Sequence, residues 1–210
     1  MKHFLFSVCF LFSSIIFSQS NFEIISEINL EKIQPNQVKK FWLKMIDNGF
    51  SQPISIPVII LKGKEDGPVL GLIAAIHGNE LNGIKVIQES VKHINVNELK
   101  GTVIAIPGLN ALSIEQDKRR FIDEEDLNRN FPGKANGNRS QQYGWQINQK
   151  ILPKLDYLID MHTASFGRIN SLYVRGEIGD EKISKMAMLQ DADIVLNNKG
   201  LPSAGDNNSA

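Results

Sequence analysis

The sequence predicts an α/β protein built around a buried, largely parallel β-sheet. Residues 69–76 and 101–107 are near-continuous apolar runs of strand length, which suit strands that are covered on both faces. Between them, residues 80–94 carry apolar side chains at helical spacing. This strand–helix–strand order is typical of a crossover unit whose two strands are parallel.

The elements before this unit are an expected helix and an expected strand. Residues 37–47 carry apolar side chains on one side of a helical projection, with lysines between them, and predict a short amphipathic helix. Residues 54–61 read as a strand, in which Pro57 favours an edge position or a break.

The elements after the unit include a long polar connection, residues 108–138. Connections of this length are more often functional than filler, although a solvated loop is the alternative. Residues 141–152 resume a helical pattern, and residues 155–161 predict a third buried strand.

The first 20 residues have the layout of a secretory signal peptide: a short basic start, an apolar run, then small and polar residues. An uncleaved N-terminal anchor is the alternative. The one cysteine, Cys9, lies in this segment, so the exported protein would contain no disulfide. We expect export to the periplasm or the medium, with residues 21–210 forming one domain.

The charge balance does not point to a polyanionic partner. The chain has 23 basic and 23 acidic residues and no long run of either sign. This composition gives no indication of nucleic acid or an anionic membrane surface as a partner, and after signal cleavage we expect no membrane association. The sequence leaves the oligomeric state open.

Two histidines and a glutamate form the candidate metal site. His77 and Glu80 are spaced His-x-x-Glu across the end of a predicted strand, and His162 follows the third predicted strand. Open α/β sheets place ligands at such strand ends. Two histidines with one carboxylate are the ligands of hydrolytic zinc sites that keep a position for water. Asp160 is a candidate for orienting a ligand or an ordinary strand-end carboxylate, and His93 is expected at the surface.

Four ordered motifs resemble those of the succinylglutamate desuccinylase/aspartoacylase family, zinc-dependent relatives of the metallocarboxypeptidases. The resemblance covers roughly residues 54–175. It implies a three-layer α/β/α fold with a mostly parallel or mixed central sheet. The motifs are His77-Gly-Asn-Glu80, Arg120-Phe-Ile-Asp123, Asp126-Leu-Asn-Arg-Asn-Phe-Pro-Gly133 and Asp160-Met-His-Thr-Ala164.

The resemblance also implies roles for particular residues. His77, Glu80 and His162 would bind one zinc ion per chain, and Asn128 with Arg129 would hold a substrate carboxylate. Arg120 would match the arginine that steadies the oxyanion, and Arg119 is adjacent to it. Three residues of the stretch after the third ligand are further candidates: Arg168, Asn170 and Arg175.

The general base of the family has no clear counterpart. The family places a glutamate on a late strand, where it takes a proton from the attacking water. After His162 the sequence has only Glu177 and Glu181, both in a polar stretch. We therefore expect a C-terminally incomplete catalytic domain, and the competing interpretation is a complete protein that keeps the metal without hydrolysis.

The function that the sequence predicts is that of an exported zinc-dependent hydrolase. Its substrate would be a small molecule or peptide that carries a carboxylate, and an N-acyl amino acid deacylase is the first expectation. The alternatives are a metallocarboxypeptidase that acts on peptides and a zinc-containing binding protein without turnover.

Overall fold

The computed structural model describes residues 22–199, so the predicted signal peptide at residues 1–20 lies outside the described residues. The α-helices are Asn82–His93 (α1), Ala111–Ile114 (α2), Arg139–Lys150 (α3) and Glu181–Met188 (α4). The strands are Glu23–Ile25 (β1), Gln37–Asp47 (β2), Pro53–Lys62 (β3), Glu65–Ala74 (β4), Lys100–Ile106 (β5), Tyr157–Met161 (β6), Tyr173–Gly176 (β7) and Ile194–Asn197 (β8). Short 3-10 helices are Leu30–Lys32, Leu127–Arg129 and Leu152–Lys154.

The central sheet has six strands in the order β1-β2-β3-β5-β4-β6. β4 is parallel to both β5 and β6, whereas β3 is antiparallel to β2 and to β5, so the sheet is mixed. The predicted crossover from β4 through α1 to β5 is confirmed. β7 and β8 form a separate two-stranded parallel sheet.

Helices cover both faces of the central sheet, which confirms the three-layer architecture. On one face, Ile87 of α1 belongs to a buried cluster with Leu72, Ala74, Val103 and Ala105. The other face carries the residues that alternate with these along β4 and β5, and they pack in a larger cluster with α3. That cluster includes Ile73, Ile104, Ile106, Tyr143, Ile147 and Ile151. The alternation follows from the two-residue repeat of a strand.

The prediction of a helix at residues 37–47 is wrong, because this segment is the strand β2. Its apolar residues also fit a two-residue repeat, and Leu43 and Met45 are both buried on one face. β2 pairs with β3 from Gln37 opposite Lys62 to Asp47 opposite Pro53, with one irregularity between Lys44 and Ile46. This pairing gives backbone N–H and C=O groups of β2 their hydrogen-bond partners and buries the apolar face. These gains outweigh a weak local preference for helix.

The predicted strand at residues 54–61 is confirmed as β3, and Pro57 lies where the sheet can tolerate it. Pro57 faces Trp42 of β2, while pairing of β3 with β5 is confined to Ile59–Lys62. Pro57 therefore has a paired neighbour strand on one side only, as expected of a residue that lacks a backbone N–H. Within residues 22–199, no helix is long and apolar enough to cross a membrane.

Candidate metal centre

The three predicted ligands meet at the C-terminal ends of two adjacent parallel strands. β4 pairs with β6 so that Ile73 lies opposite Asp160 and Ala74 opposite Met161. His77 and Glu80 follow β4 in the turn before α1, and His162 directly follows β6. Parallel pairing thus brings together ligands that are far apart in the sequence, at the edge where α/β sheets place their sites.

The turn that carries His77 is fixed by close backbone contacts. Buried Asn110 donates from its side chain to the carbonyl oxygen of Ile76 at 2.9 Å. Gly78 lies so close to the backbone of α2 that a Cβ atom there would be 2.1 Å from the carbonyl carbon of Ser113. A residue with a side chain would have to push this backbone away, so glycine is needed for the approach. Glu80 then donates its N–H to the carbonyl oxygen of His77 at 3.2 Å.

Glu80 lies between the two histidines. Its Oε1 is 3.0 Å from Nδ1 of His77, and its Oε2 is 2.9 Å from Nδ1 of His162. The backbone N–H of Thr163 also donates to Oε2 at 3.2 Å. The side chains of His77 and Glu80 are 2% and 3% exposed, whereas that of His162 is 31% exposed. The cluster is therefore buried at His77 and Glu80 and accessible to solvent at His162.

Each histidine has a second carboxylate on its other ring nitrogen. Nε2 of His77 lies 3.0 Å from Oδ1 of Asp126, and Nε2 of His162 lies 3.0 Å from Oδ2 of Asp160. Both Nδ1 atoms consequently face Glu80, and both Nε2 atoms face an outer carboxylate. This is the arrangement in which a carboxylate orients a metal-binding imidazole and raises its basicity.

Arg119 and Ser165 complete the cluster. Nη1 of Arg119 donates to Oε1 of Glu80 at 2.7 Å, and Nη2 donates to Oδ2 of Asp126 at 3.0 Å. The hydroxyl of Ser165 donates to Oε1 of Glu80 at 2.6 Å and accepts from Nη1 of Arg119 at 2.8 Å. One guanidinium therefore spans both carboxylates on the His77 side of the cluster.

The charges stabilise one another despite burial. Burial favours the neutral form of Glu80, but hydrogen bonds with His162, His77 and Ser165 hold its pKa well below the usual range. Burial lowers the pKa of His162, but hydrogen bonds with Asp160 and Glu80 outweigh it and raise the pKa to about 10. The pKa of His77 is likewise raised, because Asp126 and Glu80 outweigh burial.

The donor set fits a zinc ion. His77, Glu80 and His162 each offer one ligand atom, and these atoms all lie within 4.8 Å of one another. Two imidazole nitrogens and one carboxylate oxygen form a three-ligand set that leaves a fourth position open. Because zinc binds neutral imidazole, uptake of the ion would displace the protons that the carboxylates now stabilise.

The two neighbouring arginines point to different places. Arg120, the sequence-based candidate, donates from Nη1 to the carbonyl oxygen of Glu124 at 2.6 Å, whereas the guanidinium at the cluster is that of Arg119. Asn128 and Arg129 lie in the 3-10 helix Leu127–Arg129, which follows Asp126. The polar connection is therefore the part of the chain that brings Arg119 and Asp126 to the candidate metal ligands.

The remaining candidates lie elsewhere on the surface. Arg168 and Asn170 are exposed, and the guanidinium of Arg175 lies 5.8 Å from the ring centre of Tyr173. Exposed His93 contacts the carbonyl oxygen of Glu89 within its own helix, as expected of a surface residue. Asp126 and Ser165 had no predicted role, although Asp126 begins one of the quoted motifs and Ser165 directly follows another.

Neither late glutamate belongs to the cluster. Glu177 follows β7, and Glu181 is in the first turn of α4. Within residues 22–199, the group that could hold a metal ion comprises His77, Glu80 and His162 and neither late glutamate.

The layered mixed sheet defines a metallocarboxypeptidase-like α/β fold, with the cluster at the ends of its parallel strands. In fold it is similar to a metallocarboxypeptidase of Pseudomonas aeruginosa, with a TM-score of 0.52, 18% identity and coverage of 74% of this chain and 46% of that one. The catalytic domain of succinylglutamate desuccinylase/aspartoacylase matches residues 66–204. The chain belongs to this family.

Two relatives illustrate the relationship. The chain is 28% identical, over 111 residues, to the N-alpha-acetyl-L-2,4-diaminobutyric acid deacetylase of Halomonas elongata, covering 52% of this chain and 32% of the deacetylase. It is similar to the structure of a succinylglutamate desuccinylase/aspartoacylase from Rhodobacter sphaeroides, with 25% identity, a TM-score of 0.64 and coverage of 73% and 49%. The chain thus spans about a third of the first relative and about half of the second.

Proposed function

We propose that this chain is an exported zinc-dependent hydrolase that cleaves the amide bond of an N-acyl amino acid. The observation that carries the proposal is the convergence of His77, Glu80 and His162 within 4.8 Å, with the guanidinium of Arg119 in contact with Glu80. Membership of a deacylase family supports hydrolysis of N-acyl amino acids.

The three ligands would hold the ion, and the two outer carboxylates would keep them oriented. When bound, zinc polarises a carbonyl group and lowers the pKa of a coordinated water molecule. Asp126 accepts from Nε2–H of His77 and so turns Nδ1 toward Glu80, and Asp160 does the same for His162. The protein therefore presents three ligand atoms before the ion arrives.

Arg119 would stabilise the charge that develops on the substrate carbonyl oxygen. A fixed guanidinium beside the reacting carbonyl interacts most strongly with the transition state, where that charge is largest. The family resemblance gives this role to Arg120, but the contacts with Glu80 and Asp126 favour Arg119. Arg119→Ala should lower kcat by more than about tenfold, and Arg120→Ala should leave kcat near the wild-type value. The reverse order of effects would return the role to Arg120.

Asn128 and Arg129 are proposed to bind the substrate carboxylate. An amide beside a guanidinium offers a set of donors that matches the two carboxylate oxygens. Arg129→Ala should weaken substrate binding about tenfold or more and leave the zinc content unchanged. An equal loss of zinc would contradict this role.

Zinc content and product analysis test the proposal as a whole. We expect one zinc per chain by elemental analysis, lost in His77→Ala and in His162→Ala. The first substrate to test is N-alpha-acetyl-L-2,4-diaminobutyric acid, for which the Halomonas relative is named, in a panel with other N-acyl amino acids. Protein purified without chelators that contains no transition metal would refute the proposal.

The products also separate the alternatives. A deacylase releases the acyl acid, whereas a metallocarboxypeptidase releases a C-terminal amino acid from a peptide. A zinc-containing binding protein would take up the ion and the ligand without forming either product. The observation that favours this last alternative is that Glu177 and Glu181, the two late glutamates, stand apart from the metal-binding group.

Export rests on the pattern of residues 1–20. If these residues are a signal peptide, the protein recovered from the periplasm or medium of an expressing bacterium begins near residue 21. Intact mass spectrometry of that fraction tests this, and full-length protein retained in the membrane fraction would support an uncleaved anchor instead.

A further inference from the structure

We infer that helix α3 positions the carboxylate-binding turn, and that Ser140 and Gly144 are the positioning residues on the helix. The turn is defined as residues 126–130 and contains Asn128 and Arg129. This inference rests on the proposed function, because it concerns the residues proposed to bind the substrate carboxylate.

The first attachment lies before the turn and is polar. The carboxylate of Asp123 accepts from the backbone N–H of Ser140 at 2.8 Å and also from the Ser140 hydroxyl. Ser140 is fully buried in the first turn of α3. A carboxylate that accepts two hydrogen bonds from one residue has little freedom to move, so Asp123 is held at the start of the helix.

The second attachment is apolar and lies beside the first. The ring of fully buried Phe121 packs on the ring of Tyr143 in α3, with ring centres 4.9 Å apart. The Tyr143 hydroxyl in turn donates to the carbonyl oxygen of Leu109 at 2.8 Å. The residues before the turn are therefore fixed to α3 both by hydrogen bonds and by aromatic packing.

The third attachment is at the end of the turn itself. Asn130 closes the turn, because its side chain donates to the carbonyl oxygen of Asp126 at 2.9 Å. The carbonyl oxygen of Asn130 lies against Gly144 of α3, where a Cβ atom would be 2.6 Å from it. Beyond the turn, the N–H of Lys134 donates to the carbonyl oxygen of Gln141 at 3.0 Å.

Contacts before and after the carboxylate-binding turn thus hold it against α3. A residue that binds substrate is effective only if it is held close to its productive position, and displacement by about 1 Å can cost about a hundredfold in rate. Adding a methyl group at Gly144 would push Asn130 and the turn away from the helix. Removing the Ser140 hydroxyl would loosen Asp123.

The test measures carboxylate preference, the ratio of the dissociation constants of the carboxamide of L-2,4-diaminobutyrate and of L-2,4-diaminobutyrate itself. Both constants come from calorimetric titration of the zinc-loaded protein, so the readout does not need turnover. A ratio of this kind is unaffected by the fraction of protein that is folded. We expect a wild-type ratio of about ten or more, since charge-assisted hydrogen bonds are lost in the carboxamide.

Gly144→Ala and Ser140→Ala should each lower the ratio at least about threefold without loss of zinc, because they act on the turn and not on the ligands. Alanine is the better helix former, so propensity alone would make Gly144→Ala stabilising. Ser140→Thr keeps the hydroxyl and should retain the wild-type ratio. The control is Gln149→Ala at an exposed position of α3.

Two failures can be told apart. If Arg129→Ala abolishes the preference while Gly144→Ala and Ser140→Ala keep the wild-type ratio, the role of α3 is refuted and the carboxylate site stands. If the wild-type protein itself shows no preference, the proposed carboxylate site fails and this inference with it. Should Gly144→Ala fail to fold, Ser140→Ala decides the question.

Discussion

Removal of the Asp126 carboxylate should weaken zinc binding, although Asp126 is not a ligand. Its Oδ1 lies 3.0 Å from Nε2 of His77, and its Oδ2 accepts from Arg119 at 3.0 Å. The same carboxylate accepts from the backbone N–H of Asn128 at 3.1 Å. Asp126 therefore fixes the ring of one ligand and connects it to the arginine of the cluster.

The magnitude follows from the contacts that each substitution removes. Loss of a carboxylate behind a metal-binding histidine costs about 10- to 100-fold in affinity, or about 1.4 to 2.7 kcal/mol. Asp126→Ala removes every contact of the carboxylate, so its loss of zinc affinity should lie near the upper end of this range. Asp126→Asn keeps an oxygen for Nε2–H of His77 but turns an NH2 group toward the donor of Arg119, and it should lie near the lower end.

The assay is competition for zinc between the protein and a chromophoric chelator at fixed pH. The matched control is Glu89→Gln, which alters a carboxylate on the exposed side of α1, where it pairs with Lys85 and Lys92. The expected order of affinity is wild type and Glu89→Gln, then Asp126→Asn, then Asp126→Ala. Equal affinities in all four proteins would refute the assignment of Asp126 to the support of His77.

Three further predictions concern stability, each measured by urea denaturation of the metal-free protein. Gly78→Ala should destabilise by more than about 3 kcal/mol, because its Cβ meets the Ser113 backbone, and an unchanged midpoint would contradict this close approach. Tyr143→Phe should cost about 1–3 kcal/mol, since the carbonyl oxygen of Leu109 loses its donor, and a neutral result would mean that this oxygen finds another partner. Ile87→Ala should cost about 2–5 kcal/mol by leaving a cavity under α1, and a cost below about 1 kcal/mol would contradict tight packing there.

The local patterns of the sequence identified the buried strands and both long helices. Apolar runs identified β4 and β5, whose residues 71–74 and 101–106 are buried in the sheet. The third predicted strand is β6, but β6 lies at the edge of the sheet and its residues are only partly buried. The pattern at residues 37–47 was ambiguous, since its apolar residues fit a helical and an alternating repeat alike. Only pairing with β3 decided between them, and that pairing is a property of the whole sheet.

The candidate metal ligands could be predicted from the sequence, but most of the residues that contact them could not. His77 and Glu80 share one turn, and His162 follows a strand, so spacing and strand ends were enough to predict the set. Arg119 is 42 residues from His77, and Ser165 is 85 residues from Glu80. No periodicity or spacing relates residues so far apart.

The sequence by itself determined which side chains can bind a metal, because ligand chemistry belongs to residue types and the His-x-x-Glu spacing is local. The tertiary structure decided which residues stand behind those ligands. The polar connection has little regular structure of its own, and its path is fixed by contacts of Phe121 and Asp123 with α3 and of Arg120 with Ser113. That path brings Arg119 into contact with Glu80, directs Arg120 to the carbonyl oxygen of Glu124, and places Asp126 against His77.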